Sequence, residues 1–69
     1  MYKFAKRLRR LRRDKLLSQS QLAKKINVSR NTIYTYEHEY RNPTAIVLCR
    51  LADFFGVSVD FLLGREDRR

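Results

Sequence analysis

Apolar residues recur at helical spacing through most of the chain. Phe4, Leu8 and Leu11 stand at i, i+4 and i+7, which lays one narrow apolar stripe along a first helix whose other positions are nearly all cationic. Leu16 and Leu17 close it. Ser18 followed three residues later by Gln21 spells a capping box, the hydroxyl accepting from the Gln21 amide and the Gln21 side chain reaching back to the amide of Ser18. A second helix therefore starts at Gln19 and buries Leu22, Ala23 and Ile26. It stops at Asn27, the residue other than glycine that best tolerates left-handed backbone. Val28 is the apolar residue of a tight turn, and Ser29 is a good N-cap for a third helix that carries Ile33 and Tyr36 inward.

After Glu37 the periodicity fails. His38 to Pro43 reads as a loop closed by Asn42-Pro43, because the residue before proline is driven to extended backbone. Thr44 caps a fourth helix with Leu48, Leu51, Ala52 and Phe55 on one face, stopped by Gly56 at the position where glycine ends helices. Ser58 caps a short fifth helix through Leu63, anchored by Val59, Leu62 and Leu63 and ended by Gly64. Arg65 to Arg69 contain no apolar residue and are expected to form a frayed, charged tail. The pattern predicts an all-α domain of five helices over residues 1–64, with no internal repeat, linker or low-complexity segment.

Composition limits what such a domain can do. A chain of 69 residues, 43% apolar, is a single domain, and at this size one core rarely supplies more than about 3–5 kcal/mol. Outside help is therefore expected. Cys49 and His38 are the only cysteine and histidine, which excludes an internal disulfide and leaves too few soft ligands for structural zinc. A partner chain is the expected stabiliser. Glycine occurs only at Gly56 and Gly64, so neither a phosphate-binding Walker loop nor a dinucleotide fingerprint is present. His38 has no serine or cysteine nucleophile near it in sequence, and Glu66 and Asp67 lie in the charged tail, unsuited to a desolvated site. An enzyme is not expected, nor a cofactor or metal. With no apolar run near 18 residues and an N-terminus that continues from Tyr2 into charge, the expected location is the cytoplasm.

The net charge is +9, and it is unevenly placed. Residues 1–15 hold eight bases (Lys3, Lys6, Arg7, Arg9, Arg10, Arg12, Arg13, Lys15) against Asp14, whereas residues 45–69 balance four against four. Such a surface attracts polyanions, nucleic acid first, because neutralising phosphates releases condensed counterions. A basic amphipathic segment alone also fits a membrane-surface helix, a calmodulin target or, most often, a plain solvated face.

The rest of the chain decides between these. Residues 19–38 make a helix, a tight turn and a helix, with the small Ala23 where two steeply crossed axes come closest. Here the sequence resembles the Cro/phage-repressor (Xre) family of helix-turn-helix DNA-binding proteins. The resemblance is carried by Leu17-Ser18-Gln19, Leu22-Ala23, Val28-Ser29, Thr32-Ile33, Glu37, Asn42-Pro43, Leu51-Ala52 and Gly56-Val57-Ser58 with Leu62-Leu63, and it covers residues 3–64. It departs from the family at Leu16, Asn27 and Glu39, where relatives usually carry glycine. Asn27 is easily accommodated. Leu16 and Glu39 would each cost on the order of 1 kcal/mol in left-handed backbone, so those two turns are expected to be reshaped.

With Ile33 and Tyr36 turned inward, Ser29, Arg30, Asn31, Tyr34 and Thr35 project from the opposite face, which would enter the major groove. Guanine presents acceptors that Arg30 can read bidentately, adenine presents a donor and acceptor suited to Asn31, and Thr35 suits a thymine methyl. The resemblance implies that these positions, Tyr34 included, read bases, and that Gln19 contacts a phosphate beside the positive end of the helix dipole. Ser29, the Arg41-Asn42 loop and part of the first helix, Lys6 and Arg10, are further phosphate candidates. The family also implies a buried ion pair of Arg12 with Glu37. His38 is expected to be an exposed loop residue and Cys49 a half-buried thiol; Tyr36 is read as core, and Tyr40 is left open.

Phe54 and Phe61 fall outside the apolar stripes of the last two helices. With Val57 they suggest a homodimer surface, in keeping with the family's pairing through the fifth helix and the loop before it; that both rings pack in their own core is the alternative. Two third helices about 34–36 Å apart would require an inverted-repeat operator. The expected function is a sequence-specific, double-stranded-DNA-binding regulator, a repressor that excludes polymerase, or an antitoxin or immunity regulator that also binds a protein partner. RNA is disfavoured, since the deep A-form groove excludes a helix.

Overall fold

The computed structural model describes residues 2–67 and consists of five helices: α1 (Tyr2–Asp14), α2 (Gln19–Lys25), α3 (Arg30–Glu37), α4 (Ala45–Phe55) and α5 (Val59–Leu62). Four of them begin as their sequences require. Ser18, Ser29, Thr44 and Ser58 are N-caps in extended backbone, each side-chain oxygen accepting from the amide three residues on, and Ser18 with Gln21 completes the capping box.

The helix ends share one device. Each of the five helices is followed by a left-handed residue: Leu16, Asn27, Glu39, Gly56 and Gly64, with φ of 58°, 60°, 62°, 66° and 78°. In every case the next amide bonds back five residues, as in Leu17 N–H to the Arg12 carbonyl at 3.1 Å and Tyr40 N–H to the Thr35 carbonyl at 2.9 Å. This is the Schellman arrangement, which satisfies carbonyls the helix leaves unpaired. The expected reshaping of the turns at Leu16 and Glu39 is therefore wrong. Both residues keep the left-handed backbone, and the paired end bonds offset the strain of carrying a Cβ there.

The core is built from one side of every helix. Phe4, Ala5, Leu8 and Leu11 of α1 meet Leu22, Ala23 and Ile26 from α2 and its end, Ile33 and Tyr36 of α3, Leu51 and Ala52 of α4, and Phe61 and Leu62 of α5. Tyr36 packs edge-on to Phe4, ring centroids 5.9 Å apart. Leu17, Val28 and Val57, each one residue beyond a left-handed position, pack onto the core, so the turns contribute apolar burial as well as direction.

Two expectations at the C-terminal end need correction. Phe61 is not an exposed aromatic: it is 8% exposed and lies under Arg7, whose guanidinium carbon stands 4.3 Å from the ring centroid. With α1 on one side and α4 on the other, a one-turn helix buries two adjacent residues, Phe61 and Leu62, and leaves Val59 and Leu63 half-buried. Nor is the tail frayed through Asp67. Arg7 donates to the carbonyls of Phe61 (2.6 Å) and Glu66 and meets the Asp67 carboxylate at 3.1 Å, while the Ser58 hydroxyl bonds the Glu66 carboxylate. Gly64 lies so close to α1 that a Cβ there would run into the Lys3 side chain. The rest of the expected tail, Arg68 and Arg69, lies outside the described residues. Phe54 and Val57 are half-buried against the core, the Phe54 ring beneath the Lys15 ammonium at 5.6 Å. Cys49 is exposed instead of half-buried.

Candidate nucleic-acid interface

The orientation of α3 is set by one carboxylate. Glu37 is the sole buried charged residue among those described, at 2% exposure. Arg12 donates to both of its oxygens, Nε to Oε2 at 2.6 Å and Nη2 to Oε1 at 2.9 Å, and its remaining arm reaches the Leu17 carbonyl at 2.8 Å. Arg9 adds a bond to the Glu37 carbonyl at 3.0 Å, and the Gln19 amide donates to Oε1 at 3.3 Å. Two points on α1, the start of α2 and the end of α3 are thus pinned to one residue. The hydrogen bond to Glu37 raises the Arg12 pKa above the ordinary guanidinium value; desolvation opposes this and the negative charge of Glu37 adds to it. The forked geometry of the pair fixes direction as well as distance.

The opposite side of α3 is open. Ser29, Arg30 and Asn31 are exposed, and Tyr34 and Thr35 are half-buried. The Ser29 hydroxyl accepts from the Thr32 amide at 3.1 Å and pairs with the Thr32 hydroxyl at 2.9 Å, so its first task is to cap α3. Thr35 donates its hydroxyl to the Thr32 carbonyl at 2.8 Å, which leaves its methyl as the group it can offer a base. Arg30 and Asn31 stand at the exposed start of the helix, one with a long cationic side chain and the other with a short amide.

The phosphate candidates fall in three places. Gln19 is half-buried, with one of its amide hydrogens directed to Glu37. Arg41 and Asn42 are exposed in the loop after α3, and Arg41 lies close enough to lower the Tyr36 pKa against the larger upward push of burial. Lys6 and Arg10 are exposed on α1 and line an open groove of about 500 Å³ with Arg7, Arg9, Arg13, Phe61 and Asp67. No residue of α2 or α3 forms its walls. Arg9 of the same groove donates to the Glu37 carbonyl at the end of α3, and Arg10 pairs with Asp14 at 3.5 Å.

Sequence reasoning passed over His38 and Tyr40 at this surface. His38 is the exposed C-cap just beyond the end of α3, as expected of a residue outside the helix, and its ring lies 4.1 Å from that of Tyr34. Tyr40, 69% exposed, stacks near both. The i, i+4 spacing of Tyr34 and His38 was a readable signal for the first contact; the return of Tyr40 depends on left-handed backbone at Glu39 and had none.

Among the described residues no helix is long and apolar enough to cross a membrane, and no group of His, Cys, Asp and Glu is placed to hold a metal ion. Comparison with known proteins agrees with the architecture. A family profile described as "Helix-turn-helix" matches residues 8–62. The chain is 36% identical over 62 residues, 90% of its length and 49% of the relative's, to "HTH-type transcriptional regulator ImmR" of Bacillus subtilis strain 168. It is 33% identical over 60 residues, 87% of its length and 42% of the relative's, to "Immunity repressor protein" of Bacillus phage phi105. It is 39% identical over 51 residues, 74% of its length and 77% of the relative's, to "Uncharacterized HTH-type transcriptional regulator MJ0272" of Methanocaldococcus jannaschii. The chain spans about half the length of the first two. A capped helix, a tight turn at Asn27 and a second capped helix, locked from behind by Glu37 and matched over residues 8–62, place the chain in the helix-turn-helix family of Cro/phage-repressor (Xre) type, a family of DNA-binding transcriptional regulators.

Proposed function

We propose that the protein is a sequence-specific, double-stranded-DNA-binding repressor that inserts α3 into the major groove. The supporting observation is the exposure of Arg30 and Asn31 at the start of a helix whose other side is held by the Arg12–Glu37 pair. Arg30 reads guanine and Asn31 reads adenine, each through paired hydrogen bonds, while the Thr35 methyl packs on thymine. Gln19, Ser29, Arg41 and Asn42 hold phosphates and set register without specifying sequence. Lys6 and Arg10 add charge that draws the duplex in. The phage relative's name, an immunity repressor, favours repression over activation.

The operator is an inverted repeat read by two copies. The longest extent of the chain is 27 Å, shorter than the roughly 34–36 Å between adjacent half-sites, so one domain cannot occupy both. The half-buried Phe54 and Val57 form part of the surface between copies; Phe61, buried in its own core, does not. Selection of bound sequences from a random duplex pool tests the proposal. A palindromic consensus is the expected result, and a protein that holds random and selected duplexes equally well is not a sequence reader.

A further inference from the structure

The C-terminal half of α3 carries an arrangement that neither its caps nor the core accounts for. His38 follows Tyr34 by four positions and Asn31 by seven, so all three lie along one side of the helix. The Tyr34 and His38 rings are 4.1 Å apart between centroids and inclined by 33°. Left-handed backbone at Glu39 turns the chain back, and the Tyr40 amide bonds to the Thr35 carbonyl at 2.9 Å. The Tyr40 ring then stacks on His38 at 6.0 Å and 21° and approaches Tyr34 at 6.2 Å and 49°. His38 and Tyr40 are exposed, so this three-ring stack buries little surface and stabilises the fold little. Its effect is to back the half-buried Tyr34 ring with His38 at close range and with Tyr40 beside both.

Tyr34 lies one helical turn, about 5.4 Å, beyond Arg30. Bases inside a duplex are stacked and offer no face to an aromatic ring. What the major groove does offer to an apolar surface is the C5-methyl group of thymine.

We propose that His38 and Tyr40 are positioning residues that hold the Tyr34 ring against a thymine methyl, adding an apolar, thymine-dependent contact to the polar readout by Arg30 and Asn31. The inference rests on the function proposed above and assigns part of its specificity. Tyr34 makes the contact; His38 and Tyr40 act through it. A ring already held in place loses less side-chain freedom on binding, so the contact strengthens discrimination without new hydrogen bonds.

Replacing the thymines of the selected duplex one at a time by uracil, which lacks the methyl, provides the test. A buried methyl is worth about 0.8 kcal/mol, which is about fourfold in affinity. The wild-type protein is expected to lose about that factor at two positions per half-site, one read by Tyr34 and one by the Thr35 methyl. Tyr34→Ala, His38→Ala and Tyr40→Ala are expected to bind the thymine and uracil duplexes nearly alike at the position assigned to Tyr34, and the exposed His38→Ala and Tyr40→Ala to do so with random-duplex affinity and thermal midpoint unchanged. Tyr40→Phe keeps the ring and keeps the uracil penalty.

Wild-type indifference to every uracil overturns the proposal, and so does Tyr34→Ala keeping the penalty at every position where the wild type shows one, which would leave the methyls to Thr35 or another residue. A penalty at the position assigned to Tyr34 that persists in both Tyr40→Ala and His38→Ala removes their positioning role. Equal weakening on selected and random duplexes by those two variants makes them phosphate contacts instead. A pool that returns no preferred sequence defeats the sequence-reading function and this contact together, whereas a clear consensus without a uracil penalty defeats this contact alone.

Discussion

The two sides of α3 are made from the same eight residues and have opposite fates. One side presents Ile33, Tyr36 and Glu37, all buried, with the carboxylate held by Arg12 and Gln19. The other presents Arg30 and Asn31 to solvent, with Tyr34 and Thr35 beside them. The inward side makes the position of the outward side reproducible. A base-reading side chain discriminates only if its backbone is placed to a fraction of an ångström, and a loosely packed helix of eight residues could not do this. The lesson is a division of labour: stability and specificity sit on opposite faces, so they can be disturbed separately.

Breaking the inward side has the largest expected effect. Glu37→Ala strands the Arg12 guanidinium in a nearly closed site and is expected to cost about 3–5 kcal/mol, comparable to the whole stability of a domain this small. Urea unfolding measures it; a loss below about 1 kcal/mol would show that the pair is not structural. Breaking the outward side leaves folding alone. Arg30→Ala and Asn31→Ala are each expected to weaken binding to the selected duplex by about 1–3 kcal/mol and to random DNA far less, with the thermal midpoint unchanged. Equal losses on both duplexes would reassign them to phosphates.

A fourth variant tests whether α1, which carries the clamp, is strained at its end. Leu16 is left-handed with its side chain 90% exposed, so Leu16→Gly relieves backbone strain at little loss of contact. It is expected to stabilise the domain by about 1 kcal/mol and leave DNA affinity unaltered; a lowered melting temperature would contradict this. The smallest effect concerns pH. Burial, opposed by Arg41, raises the Tyr36 pKa, so the folded state favours the neutral phenol. The resulting stability is fully present below the ordinary tyrosine value of about 10 and is lost as pH rises through the raised folded value. The wild type is expected to lose more stability than Tyr36→Phe across that alkaline window, and parallel losses would rule the assignment out.

The helix starts were legible because an N-cap is local: Ser18, Ser29, Thr44 and Ser58 each act within three residues. The inward residues of α1, α2 and α3 were legible from their 3.6-residue period. Leu16 and Glu39 were misread because intrinsic backbone preference was weighed without the bonds from Leu17 and Tyr40 that close the same turns. Phe61 was misread because α5 has only four residues, too few for periodicity to tell a buried side from an exposed one. The bonds from Arg7 to the 66–67 segment span 59 and 60 positions, beyond any local pattern.

The sequence by itself determined where helices start and stop, which residues are apolar at helical period, and that the charge excess lies in the first fifteen residues, since each depends on neighbours within one or two turns. Only the tertiary structure decided that Arg9 and Gln19 would join the Arg12–Glu37 pair that the family resemblance implied, that Phe61 would turn inward beneath Arg7, and that Tyr40 would come back to the Tyr34–His38 pair. Those outcomes depend on how helices cross and which groups are shut away from water together, and such long-range arrangements leave no periodic trace along the chain.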